Sequence, residues 1–150
     1  MQSAYHFLLL YFFDNREINH KHRIINSCLK TQNKLGGFGV KLNLSAYEDI
    51  DSIDILSRLY FMTDYKKIEI KKLLEKALKW VLVNQNADRG FVFRRYEPFV
   101  YRHEKMSSLK DESAMFPTWF RILSLAYLSK VIDDSDLKEI SKNFINCPEL

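Results

Sequence analysis

The chain has few residues that break regular structure, with four Gly and three Pro among 150 residues. Collagen-like chains and all-β proteins with many turns use both residues freely, so this scarcity argues against both classes. Hydrophobic residues make up 47% of the chain and aromatic residues 14%, which is enough for a buried core and is not typical of a disordered segment. We therefore expect one all-α domain that covers residues 1–150.

Cysteine is also scarce. Cys28 and Cys147 lie far apart, and neither belongs to a CxxC pair, so the sequence supports neither a disulfide scaffold nor a zinc ribbon. Unpaired cysteines are typical of a reducing compartment, and we expect a cytoplasmic protein.

Several sequence signatures of function are missing. The chain has no Walker motif, no dinucleotide-binding motif and no Ser-His-Asp pattern, and Gly36-Gly37-Phe38-Gly39 has the wrong spacing for a phosphate loop. We expect no cofactor. The net charge of +4 is small compared with the basic surfaces that bind nucleic acid, and we expect no nucleic-acid partner.

Long hydrophobic runs are missing too. No run approaches the roughly 20 apolar residues that span a membrane. The first 13 residues contain a short apolar run, but they lack the basic start and the small-residue cleavage site of a signal peptide. We expect them to form a buried helix.

Two segments of the chain repeat each other at an offset of 53 residues. Residues 32–38 and 85–91 both begin with Gln-Asn and both end with Gly-Phe at the same spacing. A third copy of the helix before this pattern is visible in residues 123–128. The repeated unit is predicted to be two helices followed by a Gln-Asn and Gly-Phe loop, so the chain holds about three helical hairpins.

The helix boundaries follow from periodicity and capping residues. Ser45 and Glu48 fit a capping box, which predicts a helix from Ser45 to about Met62. Residues 68–84 have apolar positions at helical spacing, and the six lysines between positions 66 and 79 are predicted to form a solvated face. Pro117 predicts a helix start and a helix to about residue 131, and a last helix is expected over residues 137–145.

The repeated loop residues are expected to be structural joints between hairpins. A Gln at a helix end can bond free carbonyls, a Gly permits a turn that other residues resist, and an aromatic ring fills the space between hairpins. The residues concerned are Gln32, Gln85, Gly37, Gly90, Phe38 and Phe91.

Helix pairs of about fifty residues that end in Gln and then Gly-aromatic resemble the repeats of the terpenoid cyclase and protein prenyltransferase superfamily. This resemblance implies an α/α toroid, and three hairpins are about half of the six in a closed toroid. A second copy, a second polypeptide or a longer chain would then complete the ring. The prenyltransferases hold zinc with Asp, Cys and His, but Cys28 and Cys147 lack the matching context, and we expect no metal.

The segment from Glu48 to Asp54 contains four carboxylates in seven residues. It resembles the Asp-x-Asp-Asp run of class II terpene cyclases, which protonates an alkene or an epoxide. Asp49 and Asp51 match its first two Asp residues, Asp51 falls on the proton donor, and Ser52 replaces the third Asp. The alternative is a helix start with ordinary roles, in which Asp54 and Arg58 form a surface ion pair.

The loop from Arg89 to Lys110 is longer than its counterpart and carries six basic and two acidic residues. Arginine forks suit anions and aromatic faces suit prenyl chains or sugars, so a substrate-binding surface is one prediction. The other is an extended lid whose aromatic residues pack on the hairpins while its arginines stay solvated. The candidate binding residues are Arg94, Arg95, Tyr96, Tyr101, Arg102 and Trp119.

Three functions fit these patterns. The first is a terpenoid-cyclase-like or prenyl-binding protein with Asp51 in an apolar cavity. The second acts on or binds carbohydrate and would use two carboxylates that face each other across a groove. The third is a non-catalytic interaction module or truncated remnant, whose carboxylates would lie in solvent.

Overall fold

The computed structural model describes residues 2–39, 41–43, 45–101 and 103–142. Within these ranges the chain forms helices and one small β-hairpin, which confirms the all-α expectation. The helices are α1 (Gln2–Phe13), α2 (Lys21–Thr31), α3 (Ala46–Met62), α4 (Lys67–Val83), α5 (Met115–Val131) and α6 (Ser135–Lys142). The strands are β1 (Phe99–Tyr101) and β2 (His103–Ser108).

The odd-numbered helices form a row in which α3 contacts both α1 and α5. The even-numbered helices lie against this row: α2 contacts α3, α4 contacts α3 and α5, and α6 contacts α5. Since α3 and α5 have neighbours on several sides, most of their residues are buried. The consecutive pairs α3–α4 and α5–α6 contact each other as helical hairpins, whereas α1 and α2 each pack mainly on α3, so two of the about three predicted hairpins are present.

The predicted helix boundaries are close to the observed ones. The capping box of Ser45 and Glu48 is present at the start of α3, and Pro117 lies in the first turn of α5. Helix α6 begins at Ser135, two residues before the predicted start, and residues 143–145 of the predicted helix lie outside the described residues.

The two Gln-Asn and Gly-Phe loops have matching hydrogen bonds. An isolated antiparallel bridge joins Gln32 to Phe38, and another joins Gln85 to Phe91. In each loop the backbone amide of the Asn donates to the carbonyl of the Gly that precedes the Phe, 2.8 Å away, and the Gln side chain donates to a carbonyl four residues on. Both phenylalanines are buried, so these residues have the predicted structural role.

Each loop also bonds to the fourth residue of the helix that follows it. The Phe38 amide donates to Asp49 Oδ1 on α3 over 2.8 Å, and the Phe91 amide donates to Thr118 Oγ1 on α5 over 2.9 Å. Gly37 has no room for a side chain, because a Cβ atom there would lie 2.4 Å from Trp80 Nε1. The loops therefore fix the positions of the first turns of α3 and α5.

The β-hairpin lies in the longer loop, where only extended chain was expected. Phe99 pairs with Ser108 and Val100 with Ser107, and the register shifts between Val100 and Tyr101. The ring of Phe99 lies 3.9 Å from that of Phe93 and 6.0 Å from that of Phe116, between centroids. These ring contacts hold the hairpin against α5.

Helix α1 was expected to be buried, and this expectation is wrong. Phe7 is 67% exposed and Phe13 is 76% exposed. Only α3 contacts α1 extensively among the described elements, so one neighbour covers a helix that is apolar nearly all round. The prediction failed because residue type alone does not show how many neighbours a helix has.

The first testable prediction concerns Asp49, which is 1% exposed. Its carboxylate accepts hydrogen bonds from the Phe38 amide and from Trp80 Nε1, each over 2.8 Å, and forms an ion pair with the buried Arg121. Replacing it by alanine leaves an unpaired buried guanidinium, so Asp49→Ala should lower the free energy of unfolding by about 3–5 kcal/mol. Denaturant unfolding measures this change.

The matched control is Asp64→Ala, which removes a carboxylate that is 97% exposed. Its free energy of unfolding should change by less than about 0.5 kcal/mol. Equal unfolding midpoints for wild type and Asp49→Ala would show that the buried pair does not hold the helices together.

Candidate functional site

A groove of about 870 Å³ lies between α1, α3 and α5. This volume is within the range of small-molecule sites in proteins. The groove opens to solvent, since two of its lining residues, Leu10 and Trp119, are 62% and 49% exposed. The lining residues are Tyr5, His6, Leu9, Leu10, Phe12, Phe13, Tyr47, Ile50, Asp51, Arg58, Phe116, Trp119, Phe120 and Leu123.

The walls of the groove are mainly aromatic. The ring of Phe120 is at the centre of a cluster, with centroid distances of 4.5 Å to Phe116, 5.0 Å to Trp119 and 5.6 Å to Tyr47. Aromatic faces carry partial negative charge, so they suit an apolar chain and also a positive charge that develops on it. Trp119 was predicted as a binding residue, and the structure places it in this wall.

Asp51 is the one carboxyl group among the described lining residues. The residue is 1% exposed, and its Oδ2 atom has no hydrogen-bond partner. Burial raises the pKa of Asp51 from an ordinary value near 4 to about 7, and the nearby carboxylates of Glu48 and Asp54 add to the rise. A substantial fraction of Asp51 therefore carries a proton at neutral pH.

A second polar pair also borders the groove. Nε2 of His6 on α1 lies 3.2 Å from the phenol oxygen of Tyr47 on α3. Sequence reasoning missed both residues. Tyr47 stands four residues before Asp51 and hence shares its helix face, which is the signal that the sequence offered. Nothing in the sequence placed His6 beside them, because that contact depends on how α1 packs on α3.

Asp54 and Arg58 form the expected ion pair, but the expected surface location is wrong. Arg58 Nε donates to Asp54 Oδ1 over 2.6 Å, and the Asp54 side chain is completely buried. Arg58 also donates to the phenol oxygen of Tyr127 over 3.2 Å and lies 4.9 Å from the ring centroid of Phe12. Of the two residues, Arg58 lines the groove, and Asp54 is not among the lining residues.

Asp49 faces away from the groove. Residues two positions apart on a helix differ by about 200° around its axis, so Asp49 and Asp51 point to different sides of α3. Burial raises the pKa of Asp49, while Arg121, Phe38 and Trp80 oppose that rise by stabilising its charged form. These contacts support a structural role for Asp49.

The predicted arginine surface is not assembled around the groove. The Arg95 guanidinium donates to the carbonyls of Val83 and Gln85 and to Asn86 Oδ1, over 2.6 to 3.1 Å, and so closes the carboxyl end of α4. Arg94 lies 3.6 Å from the carboxylate of Glu97, and Tyr96 is 74% exposed.

The last two candidates are Tyr101 and Arg102. The backbone of Tyr101 is in β1, and Arg102 lies outside the described residues. The rings of Phe93 and Phe99 pack against Phe116 of α5, as expected for a lid of extended chain. Of these three rings, Phe116 is the one that lines the groove.

Two further observations bear on the site. Within the described ranges no group of three or more His, Cys, Asp and Glu side chains is placed to hold a metal, and no helix there is long and apolar enough to cross a membrane. No family model, no curated protein and no solved structure matches this chain.

The second testable prediction is the pH dependence of stability. The raised pKa means that folded Asp51 keeps a proton between about pH 4 and pH 7 that the unfolded chain releases. Its contribution to the free energy of unfolding therefore falls as pH rises through this range. Asp51→Asn removes this loss, so the variant should gain stability relative to wild type, by on the order of 1–3 kcal/mol at pH 8.

Urea unfolding at pH 4, 6 and 8 measures the difference between the two proteins. Asp64→Asn is the control, since its exposed carboxylate should give a profile parallel to that of wild type. A profile for Asp51→Asn that is also parallel to wild type would mean that Asp51 titrates as an ordinary carboxyl.

Proposed function

We propose that the protein binds an apolar, prenyl-type substrate in the groove and that Asp51 protonates it, as in the terpenoid cyclases that its repeats resemble. One observation carries this proposal: a buried carboxyl with an unpartnered oxygen borders an aromatic groove. A carboxyl that retains its proton at neutral pH is available as a general acid.

The chemistry needs no redox partner. The π electrons of an alkene form a bond to the proton of Asp51, which leaves a carboxylate and a carbocation. The rings of Phe116, Trp119 and Phe120 face the space where that positive charge would develop. Loss of a proton from a neighbouring carbon forms a new double bond, and the His6 and Tyr47 pair supplies a group that accepts it. Substrate and product are then isomers.

The other two functions fit the groove less well. A carbohydrate-acting site needs two carboxyl groups that face each other, whereas Asp51 is the only carboxyl group among the described residues that line this groove. An interaction module would carry its acidic residues in solvent, but Asp49, Asp51 and Asp54 are each at most 1% exposed.

A carbocation requires a dry site, and this groove is open. The exposed apolar surface of α1 adjoins the opening, because Leu10 and Phe13 are lining residues and Phe7 lies on the same helix. We propose that a second copy of the chain covers this surface and completes a ring of helices. Removal of such apolar surface from water would stabilise the assembly.

The third testable prediction concerns catalysis. In D₂O, wild-type protein should incorporate deuterium into a linear polyprenyl alkene, because solvent deuterium reaches the alkene through Asp51. Asp51→Asn lacks an acidic proton and should reduce incorporation by at least about 100-fold. Mass spectrometry of the recovered alkene measures it.

The control for this experiment is Asp64→Asn, which should match wild type. Wild-type protein that binds polyprenyl alkenes without incorporating deuterium would contradict the proposed reaction. Equal incorporation by wild type and Asp51→Asn would rule out Asp51 as the acid.

The fourth testable prediction concerns assembly. If a second copy covers α1, wild-type protein should sediment as a dimer at micromolar concentration. Phe7→Glu places a charge on the exposed face and should shift the protein toward monomer by at least about tenfold in dissociation constant. Analytical ultracentrifugation measures both. A monomeric wild type, or a dimer that Phe7→Glu does not weaken, would contradict this mode of closure.

A further inference from the structure

Lysine is concentrated in two segments of the chain that contact each other. Residues 30–43 and 70–83 together contain seven lysines and one acidic residue, although the whole chain has 23 basic and 19 acidic residues. The side chain of Gln32 donates to the carbonyl of Leu73 over 2.8 Å and so joins the loop after α2 to α4. The loop therefore brings its own positive charge to that of the helix.

The loop lies along the carboxyl-terminal half of α4. A Cβ atom on Gly36 would lie 2.5 Å from the carbonyl oxygen of Lys76, and the side chain of Asn33 donates to the carbonyl of Lys41 over 3.4 Å. Four exposed lysines of the loop and of this half of α4 form what we call the basic face: Lys34, Lys41, Lys76 and Lys79. Within the described part of the chain, none of the four forms an ion pair.

The other end of α4 is different. Lys66 Nζ lies 3.3 Å from a carboxylate oxygen of Glu69, and Lys67 Nζ lies 3.3 Å from Asp64 Oδ1. These two lysines are balanced by acidic neighbours. Their end of the helix is about 20 Å from Lys79, at 1.5 Å per residue. The uncompensated positive charge of α4 is therefore at its carboxyl-terminal half.

Exposed aliphatic side chains border the basic face. Leu35 and Leu42 each stand next to a lysine of the loop, and Leu82 and Val83 follow Lys79 by about one turn of α4. All four are between 45% and 59% exposed. Lysines beside exposed aliphatic side chains are typical of surfaces that bind anionic membranes, because the aliphatic groups enter the headgroup region while the ammonium groups remain among the phosphates.

The basic face is at the end of the molecule where the groove-lining helices α3 and α5 begin. The loop leads into α3, and the amide of Ala46 at the start of that helix donates to the carbonyl of Phe93 in the segment after α4. Tyr47 and Trp119 lie in the first turns of α3 and α5 and line the groove. A membrane bound at the basic face would therefore lie close to this end of the groove.

We propose that the basic face and its aliphatic border dock the protein on the surface of an anionic lipid membrane. Lysines near such a surface are attracted by its negative potential, and burial of the aliphatic groups adds to the binding. The aliphatic border favours a lipid surface over a nucleic acid, whose phosphate backbone offers no apolar layer. The inference goes beyond the proposed function and does not depend on the chemistry of Asp51, although an apolar prenyl-type substrate would also dissolve in the membrane.

Flotation with lipid vesicles tests the proposal without a substrate. At about 0.1 M salt, wild-type protein should bind phosphatidylcholine vesicles with about 30% phosphatidylserine at least about tenfold more tightly than vesicles of phosphatidylcholine alone. The double variant Lys76→Gln/Lys79→Gln should weaken binding to the anionic vesicles by at least about tenfold, because each lysine near an anionic surface contributes roughly a fivefold factor. Val83→Ser should weaken it several-fold by removing an aliphatic group from the border.

The matched control is Lys66→Gln/Lys67→Gln, which removes the same number of charges from the other end of α4. Its binding should differ from that of wild type by less than about twofold, because the distance of about 20 Å exceeds the Debye length of about 10 Å at this salt concentration. Circular dichroism of each variant reports whether it is folded.

A selective loss of vesicle binding in Lys76→Gln/Lys79→Gln supports the proposal. Wild-type protein that does not bind the anionic vesicles overturns it, and so does an equal loss in both double variants, which would show an effect of net charge alone. Tighter binding to duplex DNA than to the vesicles would also overturn it and identify a nucleic-acid surface. Vesicle binding without deuterium incorporation would retain the docking surface and reject only the proposed reaction.

Discussion

The buried carboxylate of Asp49 is the contact on which the arrangement of the helices depends. It accepts from the loop amide of Phe38, from Trp80 on α4 and from Arg121 on α5, so one side chain of α3 fixes three neighbouring segments. These donors are held in place by the fold. Their hydrogen bonds offset the cost of burying the charge of Asp49 only while all three stay in place. With α3 fixed in rotation, Asp51 is turned to the other side of the helix, toward the groove.

The groove combines two features that cost stability. Aromatic side chains of α1 and α5 border an opening to solvent, and the Asp51 carboxyl is buried among them without a donor for Oδ2. Most buried polar atoms in proteins have hydrogen-bond partners, so an unpartnered one in a concave site calls for a functional explanation. Protonation of Asp51 reduces its cost, because a neutral carboxyl is less expensive to bury than a carboxylate.

Local patterns in the sequence predicted the helices, the capping box of Ser45 and Glu48, and the loops built on Gln32 and Gln85, since each depends on neighbouring residues. Asp51 could be nominated from its position in an acidic run. The contacts of Asp49 with Trp80 and Arg121 and the contact of His6 with Tyr47 could not be predicted, because they join residues 31 to 72 positions apart. The exposure of α1 and the β-hairpin also depend on tertiary packing, which periodicity does not report.

In the proposed reaction, Asp51 faces the place where positive charge develops on an apolar chain. A polyprenyl tertiary amine that is protonated at pH 8 carries a positive charge on its chain, and an alkene of the same shape is neutral. Calorimetry at pH 8 measures the affinity of the protein for each ligand. We expect wild-type protein to bind the amine at least about tenfold more tightly than the alkene, and Asp51→Asn to lose this preference. Equal affinities in wild type, or a preference that survives in Asp51→Asn, would contradict it.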